Sequence, residues 1–382
     1  MLKNVRTVLI VLLILSAVVA TGYFFAKKKS EPVYLSKIDR VMFERKNKTP
    51  GFIMQLPDKE DISKHSQQDE KEEPVKETHP QAIEANDLLD KIPLVAKLPK
   101  NSVQEPLEHI NADRNLIEEK DGFYLPKIGK NGEKAWIEYG KTEEVQPNFY
   151  KVSVIINGLG LDSTVTTAAV ESLPANVSLS FSPYAIDLDK QIKTARSMGH
   201  ETYVDLLLSS KDFLKSDTGP LAMSITAGFE ENLRRMKKSL NINAPVGGLV
   251  FQRGIVDFDN PQRTKELFKE IGNMGLLAVD ATGENYLEKI DSTGLPRKKA
   301  EIVIDSYFER EEIDKRLAAA EELAQKNGSV LVVVNPKPVA LHAVNDWIAS
   351  FSPQISDYKE LKNSVIEKPL ALVPVSNVVV EE

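Results

Sequence analysis

The hydrophobic pattern divides the chain into three stretches. Val8–Ala26 is a predominantly apolar run, flanked by Lys3 and Arg6 on one side and Lys27-Lys28-Lys29 on the other. Its length suits a single membrane crossing. Val18-Val19-Ala20 resembles a cleavage site, but the apolar run continues past it, so an uncleaved anchor is expected over 1–29. A cleaved leader is the alternative. From 30 to 121 the periodicity is lost, and Gln67–Lys76 is polar, charged and proline-bearing, which predicts a solvated, flexible linker. From 122 to 382 the pattern is that of a folded domain. It begins with a turn-rich arm whose aromatic residues Phe123, Tyr124, Trp136 and Tyr139 are expected to pack on the domain's exterior.

Within that domain, short runs rich in Val, Ile and Leu alternate with helical periodicity. The predicted strands are Val152–Ile156, Val177–Phe181, Glu201–Leu207, Val246–Phe251, Leu276–Val279, Glu301–Ile304, Ser329–Val334 and Leu370–Val375. Their continuous apolarity is that of parallel strands covered on both faces. Between them, Ser224 is the expected N-cap of a helix carrying Ile225, Phe229, Leu233, Met236 and Leu240. Glu309–Lys326 repeats Ile313, Leu317, Ala320 and Ala324 and stops at Asn327-Gly328; Pro261–Met274 and Val339–Phe351 supply further crossovers. The expected fold class is α/β, a (β/α) barrel of about seven or eight strands, in a distorted form if strands are incomplete. An open doubly wound sheet is the alternative.

Composition narrows the chemistry. The 382 residues include no cysteine, which removes disulfides, thiolate zinc sites and cysteine nucleophiles. A formal net charge of −7 argues against a nucleic-acid partner. Gly158-Leu159-Gly160-Leu161-Asp162-Ser163 has the outline of a dinucleotide fingerprint, but Ser163 stands at the third glycine and no acid ends the second strand. The chain also lacks a Gly-x-Ser-x-Gly nucleophile elbow.

Parallel α/β folds place their sites at the carboxy ends of the strands. Those positions hold Asn157-Gly158, Asp205, Gln252-Arg253-Gly254, Asp280, Asp305 and Asn335-Pro336-Lys337-Pro338. In order and spacing the chain resembles the divergent polysaccharide deacetylase family of the NodB-like deacetylase superfamily. Strand one there ends in two aspartates before Leu-Gly, where this chain has Asn157-Gly158-Leu159-Gly160. Gly199-His200-Glu201 resembles a Gly-His-Glu strand that carries a histidine where Asp205 stands. Phe251-Gln252-Arg253-Gly254 is similar to an Asn-His-Met-Gly motif, Gly275–Asp280 to Gly-Leu-Phe-Phe-Leu-Asp, and Asn335-Pro336-Lys337-Pro338 to His-Pro-His-Pro.

The resemblance implies metal-dependent deacetylation of N-acetylated glycans, with aspartate and two histidines holding the ion and further acid and base groups beside it. Here amides and a glycine occupy those positions. Neither His200 nor His342 falls on a ligand position, and both are expected to be structural or surface residues. No zinc site and no cofactor are therefore expected. Asp205, Asp280 and Asp305, with Asn157, Gln252, Arg253 and Asn335, make up the candidate pocket. The three carboxylates could bind a divalent cation such as Mg²⁺ or Ca²⁺, or each could cap a turn. The reading is of an envelope protein, periplasmic beyond its inner-membrane anchor, that binds envelope polysaccharide or peptidoglycan without catalysis. An active deacetylase with a carboxylate-rich cation site is the alternative.

Overall fold

A computed structural model describes residues 98–100, 105–209, 217–224, 226–252, 254, 261–283, 294–305, 309–351 and 369–379. The expected anchor Val8–Ala26, the polar segment Gln67–Lys76 and Arg253 lie outside the described residues. Among the described residues no helix is long and apolar enough to cross a membrane.

The apolar runs form β3 (Tyr150–Leu159), β4 (Ser178–Phe181), β5 (Thr202–Leu206), β6 (Gly248–Phe251), β7 (Leu277–Asp280), β9 (Ile302–Ile304), β10 (Ser329–Val334) and β11 (Leu370–Leu372). A further strand, β8 (Arg297–Lys299), has no apolar run to announce it. The sheet order is β8-β7-β6-β5-β4-β3-β10-β9, with β11 also pairing β3, and every pairing in it is parallel. The order runs one way from β3 to β8 and then returns on the other side of β3. It has no central reversal, so the doubly wound alternative does not hold.

The two ends of this sheet meet in one stretch of chain. Only Ala300 and Glu301 separate β8 from β9. Ala300 N donates to Asp280 O of β7 (2.9 Å), and Glu301 N donates to Leu331 O of β10 (3.0 Å). The Glu301 carboxylate adds to the closure by accepting from Leu331 N (2.7 Å) and pairing with Lys298 Nζ (2.8 Å). One extended segment thus passes from one edge of the curled sheet to the other, as a (β/α) barrel requires.

Helices α2 (Ser163–Ser172), α3 (Leu188–Ser197), α4 (Phe229–Ser239), α5 (Pro261–Asn273), α6 (Arg310–Asn327) and α7 (Pro338–Ala349) connect these strands. A short helix, α1 (Ala135–Glu138), precedes them in the arm. α6 ends at Gly328, whose φ of +80° supplies the left-handed turn into β10. Ser224 is not the cap of α4: Gly228 is. Ser224 Oγ instead accepts from Ala227 N in the preceding turn, and Asn232 of α4 bonds back to Ser224 N and O. Those bonds hold the chain in a turn, so the helix begins later than its apolar spacing suggests.

Strand alternation sorts the core into two layers. Val152, Val154, Leu206, Leu249, Ala278 and Val332 join helix residues such as Ile313 and Leu317 in the outer cluster. Ile155, Tyr203, Val250, Val279, Leu331 and Val333 form the cluster inside the barrel.

The arm starts before Gly122. Leu98 and Leu116 are buried, and β1 (Ile117–Lys120) pairs antiparallel with β2 (Phe123–Pro126). Asp121 and Gly122 between them both have positive φ, 53° and 78°, the signature of a two-residue hairpin. The aromatic residues divide. Tyr124 stays exposed, Phe123 packs on the outer cluster, and Tyr139 is buried beside the Arg196 guanidinium. Trp136 departs from the expected exterior packing, because it meets the cluster inside the barrel.

Two buried ionic side chains fasten the arm to the barrel. Arg196, 1% exposed, donates to His109 O and to Tyr139 O (3.0 Å). Burial lowers its pKa to about 10, leaving it charged at neutral pH. Glu201, also 1% exposed, accepts from Lys141 N (2.7 Å), Tyr203 OH (2.8 Å), Ser178 Oγ (3.2 Å), and both Oγ and N of Ser376. It joins the arm, two strands and the carboxy-terminal segment at the amino end of the barrel. Glu201→Ala leaves those donors without an acceptor, and a loss of about 3 kcal/mol in unfolding free energy is expected from chemical denaturation.

Candidate functional site

At the carboxy end of the barrel β3 carries a bulge. Ile156 pairs with Leu179 and Leu159 with Phe181, so Asn157 and Gly158 occupy one residue more than β4 provides opposite them. Gly158 takes φ +75°, which a side chain would strain. The bulge turns the Gly158 N–H onto Asp205 Oδ2 at 2.8 Å. The other carboxylate oxygen, Oδ1, accepts from Ser180 Oγ at 2.5 Å. Asp205 and Ser180 are buried, 1% and 0% exposed. Burial raises the Asp205 pKa to about 6, partly offset by the bonds from Ser180 and Gly158. Gln252 also lowers it, although its Nε2 forms no hydrogen bond of regular geometry.

Asn157, 4% exposed, donates from Nδ2 to Gln252 Oε1 at 2.5 Å. Asn157 Oδ1 and Gln252 Nε2 are sealed from solvent without hydrogen-bond partners. Each such atom costs about 1–3 kcal/mol. The structure therefore brings together Asn157, Asp205 and Gln252 of the sequence-selected residues, and adds Ser180 and the Gly158 N–H. The signal for Ser180 was alternation: Ser178 and Ser180 interrupt an otherwise apolar strand at every second position.

The other candidates are placed differently. Asn335 follows β10 and Asp305 follows β9, and both are half-buried. Asn335 N donates to Ile304 O at 2.8 Å, so these two strand ends are neighbours. Both continue the inward phase of Val333 and Val303. Asp280 does not. It shares the phase of Ala278 in the outer cluster, while Val279 and Ala281 face inward. Its Oδ1 accepts from Thr282 N (3.0 Å) and Thr282 Oγ1 (2.5 Å), closing a turn at the strand end.

His200 is fully buried between the carbonyls of Val177 (2.8 Å from Nδ1) and Val170 (3.1 Å from Nε2), and burial lowers its pKa. It is a packing residue. His342 lies on α7. The glycine-rich turn after β3 serves no phosphate, because the Asp162 side chain occupies the α2 amino terminus and accepts from Thr164 N (2.8 Å) and Val165 N (3.1 Å). A groove of about 460 Å³ between α2 and α3, lined by Val170, Ile186, Lys190 and Gln191 among others, contains none of the selected residues.

The sequence profile described as divergent polysaccharide deacetylase matches residues 154–357. The chain belongs to that family. No curated protein matched it. Among solved structures, the chain is similar to an uncharacterized protein of Agrobacterium tumefaciens C58. The two are 21% identical with a TM-score of 0.57, over 67% of this chain and 99% of the other. That likeness is one of fold. A proposed cellobiose-phosphate cleavage protein of Enterococcus faecalis V583 aligns over 61% of this chain and 100% of its own, at 11% identity and a TM-score of 0.39, too low to carry an argument.

The metal that the family resemblance implies does not fit the residues present. Amides bind zinc weakly, and glycine offers no side chain at all. Asp205, the one carboxylate inside the cluster, has both oxygens engaged by protein donors. Among the described residues no three His, Cys, Asp or Glu side chains are grouped to hold a metal ion. Asp205 and Asp280, which belong to opposite faces of the sheet, do not form the expected trio with Asp305.

The raised Asp205 value has a testable sign. The folded state binds the proton more tightly than the unfolded chain, so the contribution to stability is full below the ordinary carboxylate value of 3.8 and is lost as pH rises through about 6. Between pH 4.5 and 7.5, wild type is expected to lose about 2 kcal/mol that Asp205→Asn does not lose, measured by denaturant titration. Parallel pH profiles would contradict this.

Proposed function

We propose that the protein is a noncatalytic carbohydrate-binding or scaffolding protein of the bacterial cell envelope. Val8–Ala26 holds it in the inner membrane, and the deacetylase-like domain stands in the periplasm within reach of envelope polysaccharide or peptidoglycan. The observation that carries this reading is the replacement of a metal-binding donor set by hydrogen-bonded amides. Asn157 and Gln252 bond to each other, and Asp205 is held by Ser180 and Gly158. Family membership supports the carbohydrate class of ligand, and the basic-flanked apolar run supports the anchor.

Such a cluster can present hydrogen bonds to a glycan. Its amides are poor ligands for the polarising ion that the family resemblance implies for hydrolysis. Full-length protein incubated with N-acetylated chitotetraose is expected to release no acetate above background, with or without added Zn²⁺, Mg²⁺ or Mn²⁺. Cation-dependent acetate release that disappears in Asp205→Asn would favour the active-hydrolase reading instead.

A further inference from the structure

The groove between α2 and α3 is predominantly apolar and separate from the strand-end cluster. Thr166 and Val170 of α2 and Thr194 and Ser197 of α3 line it, and such short side chains leave about 460 Å³ between the two helices. At its carboxy end stand the two most exposed large apolar side chains among the described residues, Ile186 (81%) and Leu161 (66%). The loops that carry them touch, since a side chain on Gly160 would collide with Ala185. A groove continued by exposed apolar side chains marks an interaction surface.

The path of the arm identifies the occupant. Leu98, 6% exposed, packs into the outer cluster, and two residues later Lys100 lines the groove and pairs with Glu171 near the end of α2 (2.6 Å). Leu107 N donates to Arg196 O near the end of α3 (3.0 Å). The arm therefore touches both helices at the amino end of the groove. Directly upstream, Leu88–Ala96 reads Leu-Leu-Asp-Lys-Ile-Pro-Leu-Val-Ala, with five large apolar residues in nine. That composition is too apolar for a solvated linker, in contrast to Gln67–Lys76. α2 and α3 have ten residues each and are about 15 Å long. Nine extended residues reach about 30 Å, so the segment is long enough to run the whole groove from Leu98 to Ile186.

We propose that Leu88–Ala96 docks in the groove between α2 and α3, running from its amino end toward Ile186 and Leu161, as a strap that fixes the amino-terminal part of the chain to the barrel. Its apolar side chains cover the groove and the two exposed residues at the far end. The linker then ends before Leu88, and the chain leaves the barrel at the same end as the Asn157–Asp205–Gln252 cluster.

The chain has no cysteine, so introduced thiols report without background. In the full-length chain, Thr194→Cys is expected to react with a maleimide at least tenfold more slowly than the same variant carrying Ile92→Asp and Leu94→Asp, both verified as folded by circular dichroism. A short bismaleimide should join the thiols of Val95→Cys/Thr194→Cys within one chain, as read by peptide mass spectrometry. It should not join those of Val95→Cys/Glu322→Cys, whose second thiol is exposed on α6. Equal maleimide rates with and without the two aspartates would overturn the strap, as would equal crosslinking to positions 194 and 322. A crosslink from position 95 to position 194 of another chain would place a second copy's segment in the groove and would also overturn it.

Discussion

A polar group inside a parallel barrel must find its hydrogen bonds within the barrel, and this constraint organises the protein around β5. Two carboxylates on the inward phase of that segment, Glu201 and Asp205, are each 1% exposed. At the amino end, Glu201 collects donors from the arm, two strands and the carboxy-terminal segment. At the carboxy end, Asp205 has Ser180 and the Gly158 N–H. The two environments differ in consequence. Glu201 binds separate parts of the chain into one body, whereas Asp205 retains a pKa raised to about 6 and holds a polar cluster at the end where parallel folds place their sites.

The bulge at Asn157-Gly158 converts that constraint into a site. Without the additional residue, the Gly158 N–H would be a ladder group; with it, that donor reaches a carboxylate on a strand not directly paired with β3. Asp205 with its oxygens taken in this way has little left for a cation. The amides Asn157 and Gln252 then occupy the same end with their own mutual bond. Family membership and strand ends poor in metal ligands are compatible because fold and chemistry depend on different residues. The outward-facing Val, Ile and Leu positions and the closing segment around Glu301 maintain the barrel regardless of what its strand ends carry.

Most of the barrel was legible because its strands are buried on both faces, and such strands read as unbroken apolar runs. β8 was not: Arg297-Lys298-Lys299 carries no apolar residue and is defined only by pairing with β7 at the closure. The β1–β2 hairpin had a local signal in Asp121-Gly122, but its strands are short and half-exposed, so the segment resembled linker. The site was legible as a set of residue types at strand ends, and illegible as a geometry. Position at the carboxy ends of the strands assigned Asp205 and Asp280 to one pocket. Strand alternation puts them on opposite faces, and only the observed register fixes that alternation.

We propose that hydrogen bonds within the protein take the place of a metal centre at the strand ends. Equilibrium dialysis of the full-length chain against Zn²⁺, Mg²⁺, Ca²⁺ and Mn²⁺, with bound metal counted per chain, tests it most directly. The account predicts substoichiometric binding at micromolar free ion, equal in wild type and Asp205→Asn. One ion per chain that disappears in Asp205→Asn would contradict it.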